Sequence, residues 1–288
     1  MPARNEGWII GLSARAALMW MDALVVLNHA STDHTADILD EISKEVGRDS
    51  VGNRLQVINV SDPVWYEMAH RQALLETARL GRATHIATVD ADEVLTGPLI
   101  PCIKQGIAML APRQVLQLPW LCLWRSINNI RVDQASVWGR AYASVAFRDA
   151  PTLCWKQRDG YEFHHRHPIG HKDFIRMFGR ESGGLFHLQH VRWRSLRAKQ
   201  ALYKMTERIR WPNKPVQMID ELYNPTVNED GSELRAVNPS WWAPYTHLFC
   251  HLNVDETHAS WQETECQRLW VEHGAERFKG LNLFEVAQ

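Results

Sequence analysis

The sequence predicts an α/β fold, and two observations carry that prediction. Apolar runs of strand length recur through the first part of the chain, and stretches with apolar residues at helical spacing separate them. The strands are predicted at residues 23–27, 55–60 and 86–89, and the helices at 7–21, 35–46 and 65–80. Strands that alternate with helices of this length form βαβ units around a parallel sheet.

Each of these elements has a local signal. The helix at 7–21 carries apolar side chains such as Ile9, Ile10 and Leu12 at helical spacing. The strand at 23–27 is a continuous apolar run that stops at a polar segment, and Thr and Asp residues at the start of the next helix are N-cap candidates. The order of the elements therefore follows from the residues themselves.

The rest of the chain predicts two more strands and a closing helix. Residues 115–124 form an apolar run whose Pro119 indicates an edge position or a β-bulge, because proline cannot donate to a strand ladder. Residues 142–147 predict another strand, and the polar residues 125–138 between them predict an excursion from the sheet. Residues 260–278 predict a helix, and the prolines before it predict a loop-rich segment.

Length, charge and cysteine content restrict the class of protein. A chain of 288 residues can bury one large core, and a formal net charge of −1 selects no partner. The five cysteines are scattered without a C-x-x-C pair, which argues against a disulfide framework or a zinc ribbon and favours a reducing compartment. No apolar run reaches the roughly 18 residues of a membrane span, and residues 1–6 do not resemble a signal peptide, so we expect a cytoplasmic protein.

An acidic pair directly follows the strand at 86–89. Asp90 and Asp92 are two residues apart, where the carboxyl ends of strands in an open α/β sheet bind ligands. Two carboxylates there suit Mg²⁺ or Mn²⁺ bridging to a diphosphate, since these ions prefer oxygen ligands. The alternative is a chance acidic pair in a loop.

Three motifs together resemble the family 2 glycosyltransferases of the GT-A fold. They are Arg4-Asn5-Glu6 before a helix, the segment 26–35 with its Ser-Thr-Asp-x-Thr turn, and Asp90-Ala91-Asp92-Glu93. They occur in the family's order and span about the first third of the chain. The resemblance implies a mostly parallel Rossmann-like sheet that binds a nucleotide sugar, with Mn²⁺ or Mg²⁺ on the diphosphate.

The resemblance also implies roles for individual residues. It places Arg4, Asn5 and Glu6 near the base and ribose, and it gives Asp33 a supporting role in the nucleotide loop. Asp90 would face the ribose and the metal, and Asp92 would bind the metal. Arg71, on the helix before the acidic pair, would face the donor or be a solvated helix charge. The resemblance therefore implies a donor site built from the first 125 residues.

The chain departs from the family pattern at two points. A carboxylate that reads uracil often follows the second strand, and here Asn28 and His29 stand there. Either side chain can hydrogen-bond a base edge, so nucleotide binding is still expected. The resemblance favours a UDP-sugar, and these two residues leave the identity of the base open. The family's first strand normally precedes Arg-Asn-Glu, and here only residues 1–3 do; either the gene start lies upstream or another segment fills the gap.

Later segments offer a base and a third metal ligand. The loop 159–168 is dense in titratable groups, and an inverting transfer needs a group that takes the acceptor's proton. Asp159 and Glu162 are the candidate bases, or charges of a surface loop. By the resemblance, His187 is a candidate third metal ligand, or a structural histidine, and the neighbouring Gly183-Gly184 would let backbone approach phosphate.

Residues 190–214 contain eight basic residues and one acid, Glu207, for a net charge of +7. This segment predicts an amphipathic helix whose charges contact phosphate or are solvated. The acceptor would be a glycan or lipid-linked sugar, or a hydroxymethylated base in DNA. We divide the chain into a donor half (1–125), an acceptor-side half (126–212) and a C-terminal extension (213–288). A nucleotide-binding or interaction module with an inactive site is the alternative function.

Overall fold

The structure is a computed structural model that describes residues 1–49, 52–157, 166–230 and 232–286. Its strands are β1 Pro2–Ala3, β2 Leu24–His29, β3 Arg48–Asp49, β4 Gly52–Asn53, β5 Leu55–Val60, β6 His85–Ala87, β7 Glu93–Leu95, β8 Val115–Cys122, β9 Asn129–Arg131, β10 Tyr142–Arg148, β11 Phe174–Ile175, β12 Leu185–His187 and β13 Leu234–Ala236. Its α-helices are α1 Ile10–Leu18, α2 Thr35–Val46, α3 Glu67–Leu80, α4 Ile100–Ala108, α5 Val137–Arg140, α6 Trp193–Arg210, α7 Val216–Tyr223 and α8 Trp261–His273. The predicted α/β class is confirmed.

The first sheet is parallel, in the order β1-β2-β5. Its register places Pro2 opposite Leu27 and Ala3 opposite Asn28, and the amide of Leu27 donates to the carbonyl of Met1 at 2.9 Å. Residues 2–3 therefore form the strand that precedes the Arg-Asn-Glu motif, although it is only two residues long. This sheet brings the loop after β1 beside the loop after β2.

The second sheet is mixed, so a mostly parallel arrangement is confirmed only for the first sheet. Its order is β6-β10-β8-β12-β7, with β11 parallel to β8. Strand β10 runs antiparallel to both β6 and β8, and β12 runs antiparallel to β7. The predicted edge position of Pro119 is wrong, because β8 lies between β10 and β12; the irregularity of this ladder lies on β10, between Ser144 and Ala146.

The chain forms two compact units, each built from several stretches of sequence. The first contains Met1–Leu121, Ala141–His187 and Val237–Asn253, and the second contains Cys122–Arg140, Leu188–Ala236 and Val254–Gln288. Helix α1 is buried in the core of the first unit along nearly its whole length. Gly11 allows the 3₁₀ segment Ala243–His251 to pack on this helix, since an added Cβ would lie 2.9 Å from His251 Cβ. Helix α1 is therefore a core element that supports the loops at its amino end.

Trp241 and Trp242 belong to this core. Both are buried, and the ring of Trp242 stacks on Phe186 with centroids 4.4 Å apart. The hydroxyl of Tyr245 donates to the carbonyl of Leu95 at 2.8 Å, which fixes the same segment against β7. These aromatic residues stabilise the sheet beside the acidic pair by packing.

Helix α6 in the second unit uses much of its positive charge internally. Lys204 is fully buried, 2.8 Å from a carboxylate oxygen of Asp220, and Lys214 forms an ion pair with Glu207. Arg194 lies 2.7 Å from Glu263. Arg197 and Arg208 donate to backbone carbonyls. Five of the eight basic residues therefore have structural partners in their own unit, and contact of this segment with phosphate stays a prediction.

Among the residues that the structure describes, no helix combines the length and the apolar character that a membrane crossing requires.

Candidate functional site

The acidic pair lies in a tight loop between β6 and β7, in the first unit. The amide of Thr88 donates to Val145 on β10, so the sheet continues up to this loop. The amide of Asp90 then donates to the carboxylate of Glu93 at 2.9 Å, and the amide of Glu93 donates back to the Asp90 carbonyl at 3.2 Å. These reciprocal bonds fix the backbone that carries both aspartates.

Two arginines bind the carboxylate of Asp90. Arg71 donates to one oxygen at 3.2 Å and Arg166 donates to the other at 2.7 Å. The Nε of Arg71 also donates to Glu67 at 2.8 Å, one helical turn earlier on α3. Arg71 is therefore buried among carboxylates and is not a solvated helix charge, and its contact with a donor stays a prediction.

Glu93 is the most buried member of the cluster, with no exposed side-chain surface. Its carboxylate accepts from Arg166 at 2.8 Å and from the indole Nε1 of Trp120 at 2.9 Å. Burial raises the pKa of Glu93 to about 7, against the opposing effect of the Arg166 guanidinium. Glu93 was not predicted as a site residue, because nothing in a one-dimensional motif shows which neighbour of an acidic pair turns inward.

Arg166, Trp120 and His187 form a three-layer stack. The Arg166 guanidinium lies 4.9 Å from the centroid of Trp120, and the Trp120 ring stacks on His187 with centroids 4.3 Å apart. Trp120 was not predicted as a site residue. Its position on β8, opposite the loop of the acidic pair, becomes visible only once the strand order β8-β12-β7 is known.

His187 lies beside Asp92, as the metal-ligand prediction requires. Strand β12 pairs with β7 so that His187 is opposite Glu93, and His187 Nε2 is 3.7 Å from a carboxylate oxygen of Asp92. Two ligands of one cation with bonds of roughly 2.1 Å can be at most about 4.2 Å apart. The two donor atoms therefore fit a single Mg²⁺ or Mn²⁺, although the described residues contain no group of three or more acidic, His or Cys side chains arranged for a metal.

The two glycines before β12 have a packing explanation. An added Cβ on Gly184 would lie 2.2 Å from the carbonyl oxygen of Pro119, and one on Gly183 would lie 2.2 Å from Thr96 Oγ1. The amide of Gly184 donates to the same Thr96 hydroxyl at 2.9 Å. The glycines let the backbone before β12 pack closely against Pro119 and Thr96, and this packing positions His187. A role near phosphate is not needed to explain them.

The predicted nucleotide loop is held together by Asn5 and Asp33. The side-chain oxygen of Asn5 accepts from the amides of Thr32 at 2.7 Å and Asp33 at 3.3 Å. The carboxylate of Asp33 accepts from the amides of Gly7 and Thr35, both at 2.9 Å. Asp33 thus links the start of α1 to the start of α2, and the role of this loop in nucleotide binding stays a prediction.

The other two residues of the first motif lie at the edge of this loop. The amide of Glu6 donates to Thr35 Oγ1 at 2.8 Å, and its carboxylate accepts from the indole of Trp8 at 2.7 Å. Arg4 donates to the carbonyl of Pro63 at 2.8 Å. The motif therefore shapes the loops after β1 and β5, and contact with a base or ribose stays a prediction.

Asn28 and His29 are buried at the end of β2. The Asn28 amide donates to the side chain of Asn59 at 3.0 Å. His29 has no exposed surface; it lies 3.2 Å from the Val64 carbonyl, and its ring contacts Trp65 and His70. Burial, with Arg4 nearby, lowers the pKa of His29. Both side chains therefore lie in the protein interior, where they contact residues at and after the end of β5.

The His70 imidazole predicts a pH dependence of stability. Burial, with a contribution from His29, lowers the pKa of His70 from 6.5 to about 4. The unfolded chain thus binds a proton between these values that the folded chain excludes, so stability is complete above pH 6.5 and falls as the pH drops towards 4. We expect a loss on the order of 2 kcal/mol after solvent screening. Urea unfolding at several pH values measures it, and His70→Phe should flatten the slope; an equally steep slope in that variant would contradict the assignment.

The candidate bases Asp159 and Glu162 lie outside the described residues. They stay a sequence-based prediction. Arg166, which binds both Asp90 and Glu93, is the first described residue after the segment that contains the two candidate bases.

A separate groove of about 600 Å³ lies in the same unit. Its walls are mainly apolar and include Leu24, Val25, Ile86 and Ala87, and Arg71 reaches its lining. Neither Asp90 nor Asp92 lines it, so the acidic cluster is a better candidate than this groove for binding a charged ligand.

No protein-family model matches the sequence, and no curated protein matches it.

Proposed function

We propose that the chain is a metal-dependent glycosyltransferase that moves a sugar from a nucleoside diphosphate sugar to a hydroxyl acceptor. The observation that carries the proposal is the cluster at the carboxyl end of β6. It combines the Asp92–His187 pair, which fits one divalent cation, with two arginines on Asp90. A cation and guanidinium groups in one site match the charge of a diphosphate.

In this proposal Asp92 and His187 hold the ion, with Asp90 beside them. The ion, when bound, supplies Lewis-acid stabilisation of the charge on the departing diphosphate. Arg71 keeps the loop of the acidic pair in place through Glu67 and Asp90. Asn5 and Asp33 hold the loop where the resemblance places the base and ribose. Asp159 or Glu162 would take the acceptor's proton, and the transfer would proceed with inversion.

A panel of sugar nucleotides tests the proposal. A bound donor raises apparent stability in proportion to RT ln(1 + [L]/Kd), so at least one member, with UDP-sugars included, should raise the melting temperature with Mn²⁺ present and less without it. The same donor should then release nucleoside diphosphate slowly, by hydrolysis. Binding without release would favour the inactive nucleotide-binding module, and no shift with any donor would contradict both.

A further inference from the structure

Arg166 is the arginine of the cluster whose individual role the proposed function does not specify. Its guanidinium bridges Asp90 at 2.7 Å and Glu93 at 2.8 Å and lies over Trp120. Its Nε is buried and has no hydrogen-bond partner among the described residues. Each terminal nitrogen of the side chain therefore donates to a carboxylate, and the Nε donates to none of the described residues.

A divalent cation and the guanidinium of an arginine compete at Asp90. A carboxylate oxygen has two lone pairs and can hold both partners, but the two positive charges repel each other when they share one carboxylate. An ion that enters beside Asp90 therefore weakens the contact of at least one arginine.

The two arginines differ in how firmly they are held. Arg71 is 8% exposed and is fixed by Glu67, itself 6% exposed, on the same helix. Arg166 belongs to no helix or strand and is 14% exposed, although its contact with Asp90 is the shorter of the two, at 2.7 Å against 3.2 Å. Because Arg166 also has Glu93 as a partner, it can leave Asp90 without leaving the cluster, so it is the arginine that we expect an entering cation to displace.

A displaced Arg166 would still be close to the site. It stays paired with Glu93 through Nη2 and lies over Trp120, and the Nη1 that leaves Asp90 can donate to a phosphate oxygen. The diphosphate that enters with the ion offers such oxygens.

We propose that Arg166 competes with the divalent cation for Asp90 and, once displaced, pairs with the diphosphate of the donor. This inference rests on the proposed function. Arg166 thus holds the acidic pair in the absence of ligand and is a positioning residue for the donor in its presence. The first role weakens the binding of the cation and the second strengthens the binding of the diphosphate, so the two roles can be measured separately.

Isothermal titration of Arg166→Gln measures both consequences. Mn²⁺ alone should bind about tenfold more tightly than to the wild type, because a competing charge-assisted hydrogen bond is lost. UDP at saturating Mn²⁺, or the nucleoside diphosphate of the donor with the largest thermal shift, should bind about tenfold more weakly, because a phosphate partner is lost. Arg176→Ala is the matched control: Arg176 pairs with Gln117 and lies over Tyr142, away from the cluster, so neither affinity should change.

The variant leaves the buried Glu93 without its cation, so folding has to be checked by thermal unfolding. If Arg166→Gln is unfolded, the double variant with Glu93→Gln removes both charges and is expected to give the same opposite shifts. Changes in the same direction, or no change, in a folded variant would overturn the inference while leaving the proposed function standing. A wild type that binds neither Mn²⁺ nor nucleotide would instead overturn the proposed function, and this inference with it.

Discussion

Replacing Asp92 by Ala is expected to reduce nucleoside diphosphate release from a sugar nucleotide by at least about 100-fold, the equivalent of about 3 kcal/mol in activation free energy. A bound metal ion contributes several kcal/mol by stabilising charge on the leaving group. Asp92 is the carboxylate within 3.7 Å of His187, so its loss would leave the ion without its main anionic ligand. Product release with Mn²⁺ in excess is the measurement.

A surface aspartate of the same unit gives the control for this prediction. Asp22 is 91% exposed and forms a surface ion pair with Lys104, away from the acidic cluster, so Asp22→Ala should keep the wild-type rate. Unchanged melting temperatures would show that both variants are folded. Retention of most of the wild-type activity by Asp92→Ala would mean that this carboxylate does not hold the ion.

The second large effect is on stability. Arg71→Ala is expected to lower the free energy of unfolding by about 3–5 kcal/mol, because it leaves the buried Glu67 without its cation and removes one of two cations from Asp90. Burial prevents water from replacing the lost partner. Urea unfolding monitored by circular dichroism measures the change.

An exposed ion pair with the same spacing isolates the effect of burial. Lys44 and Asp40 are four residues apart on α2, as Arg71 and Glu67 are on α3, but they are exposed. Lys44→Ala should leave the free energy of unfolding almost unchanged, because water replaces the lost partner of an exposed ion pair. Similar losses in the two variants would show that the Arg71 pair is no more important than a surface contact.

The fold of the first half follows closely from local pattern. The alternation of buried strands and amphipathic helices predicted β2, α2, β5 and α3 within a few residues of their observed bounds. Helix α1 is shorter than predicted, from Ile10 to Leu18, because the loop of the Arg-Asn-Glu motif precedes it. The mixed second sheet could not be predicted, since which strands become neighbours depends on long-range packing that local periodicity does not contain.

The site shows the same division between local and long-range information. The Asp-x-Asp pair and the loop tied by Asp33 are visible in the sequence because each is a contiguous motif. Glu93, Trp120 and Arg166 come together from three distant segments, and their partners are set by the order of strands β8, β12 and β7. Charge counting likewise does not reveal that Lys204, in the basic segment, is buried beside Asp220.

The most direct test of the central claim is a crystal soaked with Mn²⁺ and the donor selected in the sugar-nucleotide panel, measured at the manganese absorption edge. The account predicts an anomalous peak within coordination distance of Asp92 and His187, with the diphosphate of the donor on its other side. A bound donor with no metal peak beside Asp92, or a metal peak elsewhere in the molecule and none at Asp92, would contradict it.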